Sequence, residues 1–146
     1  MRNKKNLYII GAIVVGLIVL VIVVGKVKSL IRAWKEARDN KSEQQVLEAQ
    51  GIKLTYPTNW YENKARELYN SMNTVWYDVT TYDTKEDRIV SIFDQLENNL
   101  DFIELDDAFG VRDNYDMQQW LDGDLSQWWK DQINGRLANS GITKRV

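Results

Sequence analysis

The feature that most constrains this chain is an uncharged run of nineteen residues at positions 7–25, LYIIGAIVVGLIVLVIVVG. At about 1.5 Å per residue a helix of that length reaches roughly 28 Å, close to the hydrocarbon thickness of a bilayer. Lipid offers backbone groups no hydrogen-bond partner, so such a run crosses the membrane as a helix. Lys4 and Lys5 flank it on one side, Lys26 and Lys28 on the other. A cleaved signal peptide would need a shorter apolar core and a small-x-small site, whereas this run passes straight into Gly25-Lys26-Val27-Lys28. The expectation is a retained, single-pass anchor. Within it Ala12 and Gly16 form a small-xxx-small pair that permits close helix–helix approach and hence a homo-oligomer or a partnered helix, although isolated small residues are common in such helices.

Charge is divided along the chain. Residues 1–50 carry nine Lys/Arg against four Asp/Glu, a net of +5, and residues 51–146 carry ten against seventeen, a net of −7. The basic part lies where anionic headgroups would be, and the acidic part argues against nucleic-acid binding. By the positive-inside rule Lys26, Lys28, Arg32, Lys35 and Arg38 outweigh Arg2, Lys4 and Lys5, which leans the domain toward the cytoplasmic or interior side; the N-terminal flank is itself basic and pulls the other way. Cysteine and histidine are both absent. Disulfides, thiolate metal sites and cysteine nucleophiles are therefore excluded, and the commonest general base and zinc ligand is missing.

Four segments follow: a basic flank at 1–6, the membrane helix at 7–25, a basic amphipathic stalk at 26–50 and a small domain at 51–146. In the stalk Val27, Leu30, Ile31 and Trp34 share a helical face among the basic residues. Two readings stand: a helix resting on anionic lipid with Trp34 at the headgroups, or a stalk whose stripe packs on a neighbour. Residues 39–50 are more polar and act as a spacer, with Gly51 in the position of a C-terminal capping glycine.

The domain opens with an extended segment up to Pro57. Asn59 and Glu62 have capping-box spacing ahead of a face formed by Tyr61, Ala65, Leu68, Tyr69 and Met72. Residues 75–82, VWYDVTTY, form a packed loop, since one short strand has no partner. Thr84 with Asp87 opens a second helix bearing Ile89, Ile92, Phe93 and Leu96. Asp101 with Glu104 opens a third, stopped by Gly110; Asp116 caps a fourth, stopped by Gly123; Asp124 or Ser126 opens the last, ending near Gly141. The fold class is all-α: one N-terminal transmembrane helix and a compact bundle of about five short helices.

The runs TKEDRIVSIFDQL, AFGVRD and DMQQWLDGDL, with a closing helix, resemble an annexin-type repeat. With LTYPTNWYENKARELYNSM ahead of them, residues 54–143 also resemble small, N-terminally anchored proteins of bacteria and bacteriophages. The resemblance implies an annexin-like domain and the membrane of a bacterium or of a virion. Annexin repeats hold calcium through carbonyls of a glycine-rich loop and a downstream carboxylate. The matching loop here, residues 80–84, has no glycine, and the carboxylate position falls on Gly123 between Asp122 and Asp124. Asp83, Asp122 and Asp124 are thus the calcium candidates, set against the six to eight oxygens the ion needs and against their alternative use as helix caps.

Paired carboxylates such as Glu104 or Glu97 with Asp106 or Asp107 could serve a cell-wall hydrolase, but seventeen acidic residues produce such pairs by chance. Trp60, Trp76, Trp120, Trp128 and Trp129 could form a sugar-stacking or protein-binding surface, or fill gaps between short helices. Neighbours on a helix point about 100° apart, so Trp128 and Trp129 cannot both face one core, and one of them is expected to be exposed, at a domain interface or at a partner surface. No catalytic residue and no cofactor is assigned. The leading expectation is a membrane-anchored structural or interaction protein whose partners are the bilayer and a protein. Calcium- or lipid-dependent membrane binding is the alternative, and a wall hydrolase the third.

Overall fold

The computed structural model describes Lys35, residues 38–73 and residues 85–146. The expected anchor at 7–25, its flanks Lys4, Lys5, Lys26 and Lys28, the Ala12/Gly16 pair, Trp34, the loop 75–82, Asp83 and the Thr84 cap lie outside the described residues. No described helix is long and apolar enough to cross a membrane.

The described residues are all-α. A helix at 38–49 (α1) precedes α2 (Thr58–Asn73), α3 (Lys85–Asp94), α4 (Asn99–Phe109), α5 (Met117–Asp124) and α6 (Gln127–Asn139). α2 packs on α4, α3 and α5, and α3 packs on α6. Tyr61, Ala65, Leu68 and Met72 supply the inner face of α2, as the 3.6-residue period requires. They meet Ile89, Ile92 and Phe93 of α3, Phe102, Leu105 and Phe109 of α4, Leu121 of α5 and Ile133 and Leu137 of α6 in one core. Each of the buried Leu, Ile, Met and Phe side chains contributes about 1.5–3 kcal/mol when taken from water. α4 is the most enclosed helix: Leu100 and Ile103 face a second cluster with Leu47 of α1 while Phe102 and Leu105 face the main core.

Two helices end in the same motif. At α1, Gly51 takes φ +84°, its N–H donates to Glu48 O at 2.9 Å, and the Ile52 N–H donates to Leu47 O at 3.1 Å. At α6, Gly141 takes φ +74°, with Gly141 N–H on Ala138 O and Ile142 N–H on Leu137 O at 2.8 Å. Both are Schellman caps sealed by an apolar pair, Ile52 on Leu47 and Ile142 beside Leu137.

Four local expectations are corrected. α2 begins at Thr58, immediately after Pro57, and the Trp60 N–H is satisfied by Pro57 O at 2.8 Å, so Asn59 lies inside the helix and does not cap it. α4 is capped by Asn98, whose side chain accepts from the Leu100 and Asp101 N–H groups, so Asp101 is the third helical residue. Gly123 does not stop α5, which continues to Asp124 and closes at Leu125. Residues 39–50 are no free spacer, because α1 lies on α4 through Leu47 and Asn40. The Asp116 cap holds, with a reciprocal capping box to Gln119, and of the two candidates for α6 it is Ser126 that occupies the N-cap.

Candidate functional site

Trp128 and Trp129 open the outer edge of α6. Their indoles meet edge to face, 4.6 Å apart at 78°. Trp129 packs half-buried against the core, whereas Trp128 is 59% exposed. The 100° step along the helix separates them as expected. Trp60 and Trp120 also lean on the core, Trp60 stacked on Tyr56 at 4.1 Å and Trp120 edge-on to Tyr69 and Tyr115. Trp76 lies outside the described residues.

A second aromatic group surrounds the connection between α4 and α5. Asp113 and Asn114 both take positive φ, 52° and 73°, and Arg112 and Tyr115 exchange two backbone hydrogen bonds of 2.9 Å. This is a type I′ turn on residues that tolerate the left-handed region. The turn fixes Arg112, whose guanidinium lies 5.0 Å from the ring centres of both Tyr69 and Phe109. The Arg112 carbonyl receives the Trp120 indole N–H at 3.0 Å, and the Tyr69 hydroxyl donates to Asp113 at 2.5 Å. That bond to Asp113, with some desolvation, pushes the Tyr69 hydroxyl pKa up. Tyr115, Gln119, Trp120, Gly123 and Asp124 line an open groove of about 360 Å³ along the outer side of α5.

The acidic candidates are engaged elsewhere. Asp122 accepts from Lys130 at 3.0 Å and from Gln118 at 3.2 Å, and Asp124 pairs with Lys85 at 2.7 Å. Among the described residues no group of three or more His, Cys, Asp or Glu could hold a metal ion. Of the carboxylates considered for hydrolysis, Glu97 is exposed at the α3–α4 connection. Glu104, Asp106 and Asp107 sit on the α4 side that α1 covers: Asn40 Nδ2 donates to Asp106 at 2.7 Å and to Asp107 at 3.2 Å, and Gln44 reaches Glu104 at 3.5 Å. Burial foremost, with Asp107 and Asp116 adding to it, pushes Asp106 up to about 6 against the opposing bond from Asn40. Burial and the neighbouring Asp107 raise Glu104 as well.

One residue was missed in the sequence as an organiser. Asp101 is wholly buried and accepts four hydrogen bonds: from the Thr55 N–H at 2.9 Å, the Thr55 hydroxyl at 2.8 Å, the Tyr61 hydroxyl at 2.5 Å and the Glu97 N–H at 3.0 Å. It ties the lead-in segment to α2 and to the start of α4, in the positive field of that helix's N-terminus. The available signal was Asn98-x-x-Asp101, a cap with an acidic residue three positions on.

No protein-family model matches this chain, and no curated protein and no solved structure matches it.

Proposed function

We propose that this chain is a single-pass membrane protein whose helical domain docks a protein partner, a structural or interaction role and not an enzymatic one. The observation that carries the docking half is the 59% exposure of Trp128 beside a Trp129 held on the core. A tryptophan costs little side-chain entropy to immobilise and offers a large apolar face, which is why such residues dominate protein interfaces. The anchoring half rests on the uncharged run at 7–25. The bilayer would be that of a bacterial cell or a bacteriophage virion, with the domain on the cytoplasmic or interior side and the anchors free to pair through Ala12 and Gly16. The annexin-like resemblance then speaks for the arrangement of α3 to α6 and not for calcium, since Asp122 and Asp124 carry lysine partners.

Two experiments test the two halves. Alkaline extraction of membranes should leave the full chain in the pellet and release a variant lacking residues 7–25; release of both removes the anchor. Crosslinking in those membranes should give a discrete adduct that disappears in Trp128→Ala while the domain keeps its fold. An adduct indifferent to that change places the docking surface elsewhere.

A further inference from the structure

α1 is held on the domain largely by polar contacts. Its apolar contribution is Leu47, seated against Leu100 and Ile103 of α4. About two turns toward its N-terminus, Asn40 is only 6% exposed and donates through its amide nitrogen to two consecutive carboxylates, Asp106 and Asp107. Further acidic groups crowd the same place. Asp116 of the α5 cap is buried, with Oδ1 receiving the Gln119 N–H and Oδ2 without a hydrogen-bond partner among the described residues. Glu104 lies one turn back on α4, and Glu43 and Glu48 are on α1. Among the described residues the cation that reaches Asp106 is Lys144 of the C-terminal tail, and its amine is paired with Glu43 at 2.6 Å. On α1 itself Arg38 and Lys41 are exposed.

We propose that the seating of α1 on α4 is a proton-controlled clasp, tighter in mild acid than at neutral pH, with Asp106 under Asn40 as its sensing group. When α1 lifts, the Asp106 carboxylate returns to water and its charge is solvated again. When α1 is seated, that charge loses solvent and keeps two acidic neighbours, Asp107 and Asp116, with one shared lysine among the described residues. A group with a higher pKa in the seated state takes up a proton on seating, so acidification favours the seated state. Burial holds Asp106 at about 6 against an ordinary 3.8, so the seating equilibrium can gain at most about a hundredfold between neutral and acid conditions. Because α1 continues the segment that leaves the hydrophobic run, such a clasp would set how closely the domain is tethered to it. This inference stands independently of the docking surface at Trp128.

Hydrogen exchange of the full-length chain in mild detergent, at about pH 5 and about pH 7.5 and scaled for intrinsic rates, is the test. Amides of α1 should be about tenfold or more better protected at the lower pH, a part of the hundredfold ceiling that Asp106 sets. Asp106→Asn should protect α1 equally at both. Asn40→Asp, on α1 and outside the domain core, should lower α1 protection at pH 7.5 and widen the ratio, which keeps the test decisive if the first variant folds poorly. Protection of α1 that ignores pH in the unaltered chain overturns the clasp. So does a ratio that survives Asp106→Asn or does not widen in Asn40→Asp.

Discussion

The Tyr61 hydroxyl donates to Asp101 Oδ1 at 2.5 Å, and both residues are completely buried. Neither group could be left alone there, since an unpaired buried carboxylate costs several kcal/mol. Burial, and then the bond to Asp101, push the Tyr61 hydroxyl well above its ordinary range, which keeps it a donor at every accessible pH. Removing the donor in Tyr61→Phe is expected to cost about 1.5–3 kcal/mol, the value of a bond to a charged acceptor. Asp101→Ala strands the N–H groups of Thr55 and Glu97 as well and should cost about 3–5 kcal/mol. Urea unfolding of both measures this, with the exposed Asp131→Asn as a control expected within about 0.5 kcal/mol.

Two glycines near the end of the chain should respond in opposite directions. Gly135 lies inside α6, and a Cβ added there would meet nothing within 4 Å, so Gly135→Ala should stabilise by about 0.5–1 kcal/mol. Gly141 holds φ +74° in the Schellman cap, and Gly141→Ala should destabilise by about 1 kcal/mol. Thermal melts of the pair compare them directly.

Ile142, three residues past α6 and 1% exposed, closes that cap over Leu137 and belongs to the main core. Ile142→Ala is expected to cost about 2–5 kcal/mol by denaturant unfolding, as for other large-to-small core changes. Asn134 strengthens the same tail by exchanging two hydrogen bonds with Val146, at 2.9 and 3.0 Å.

Asp106 gives the stability curve a definite sign. Its folded pKa, about 6, exceeds the ordinary 3.8, so its contribution is fully present below about pH 4 and is lost as pH rises through about 6. Asp106→Asn should therefore stabilise the fold near pH 7.5 and change little near pH 4. The gain is no more than a few kcal/mol, because a tenfold change in proton affinity is worth about 1.4 kcal/mol. Urea titrations at the two pH values check this.

The all-α class and most of the core were legible because apolar spacing on α2 and α3 follows the helical period without competition. Helix ends marked by a positive-φ glycine, at Gly51 and Gly141, were legible for the same reason that only glycine sits there cheaply. The start of α4 was not, because Asn98 and Asp101 are both good caps and only the lead-in segment, by bringing Thr55 and Tyr61 onto Asp101, decides between them. Gly123 misled for a related reason: no positive φ is needed there, so the helix runs through. The contact of α1 with α4 escaped notice because Asn40, Gln44 and Leu47 form a sparse stripe, and polar pairing between residues so far apart in the chain leaves no local signal. At the proposed docking edge the sequence indicated that Trp128 and Trp129 must part, and the packing of α6 decides that Trp128 is the one turned outward.

Central to the proposed function is the contact of Trp128 with a protein partner. Its most direct test is a photo-crosslinking residue placed at position 128 of the full-length chain in its own membrane, with position 139, exposed at the far end of α6, as the comparison. One discrete adduct is predicted from position 128 and none from position 139, with Trp128→Ala itself shifting stability by no more than about 0.5 kcal/mol. No adduct from position 128, or the same adduct from both positions, would contradict it.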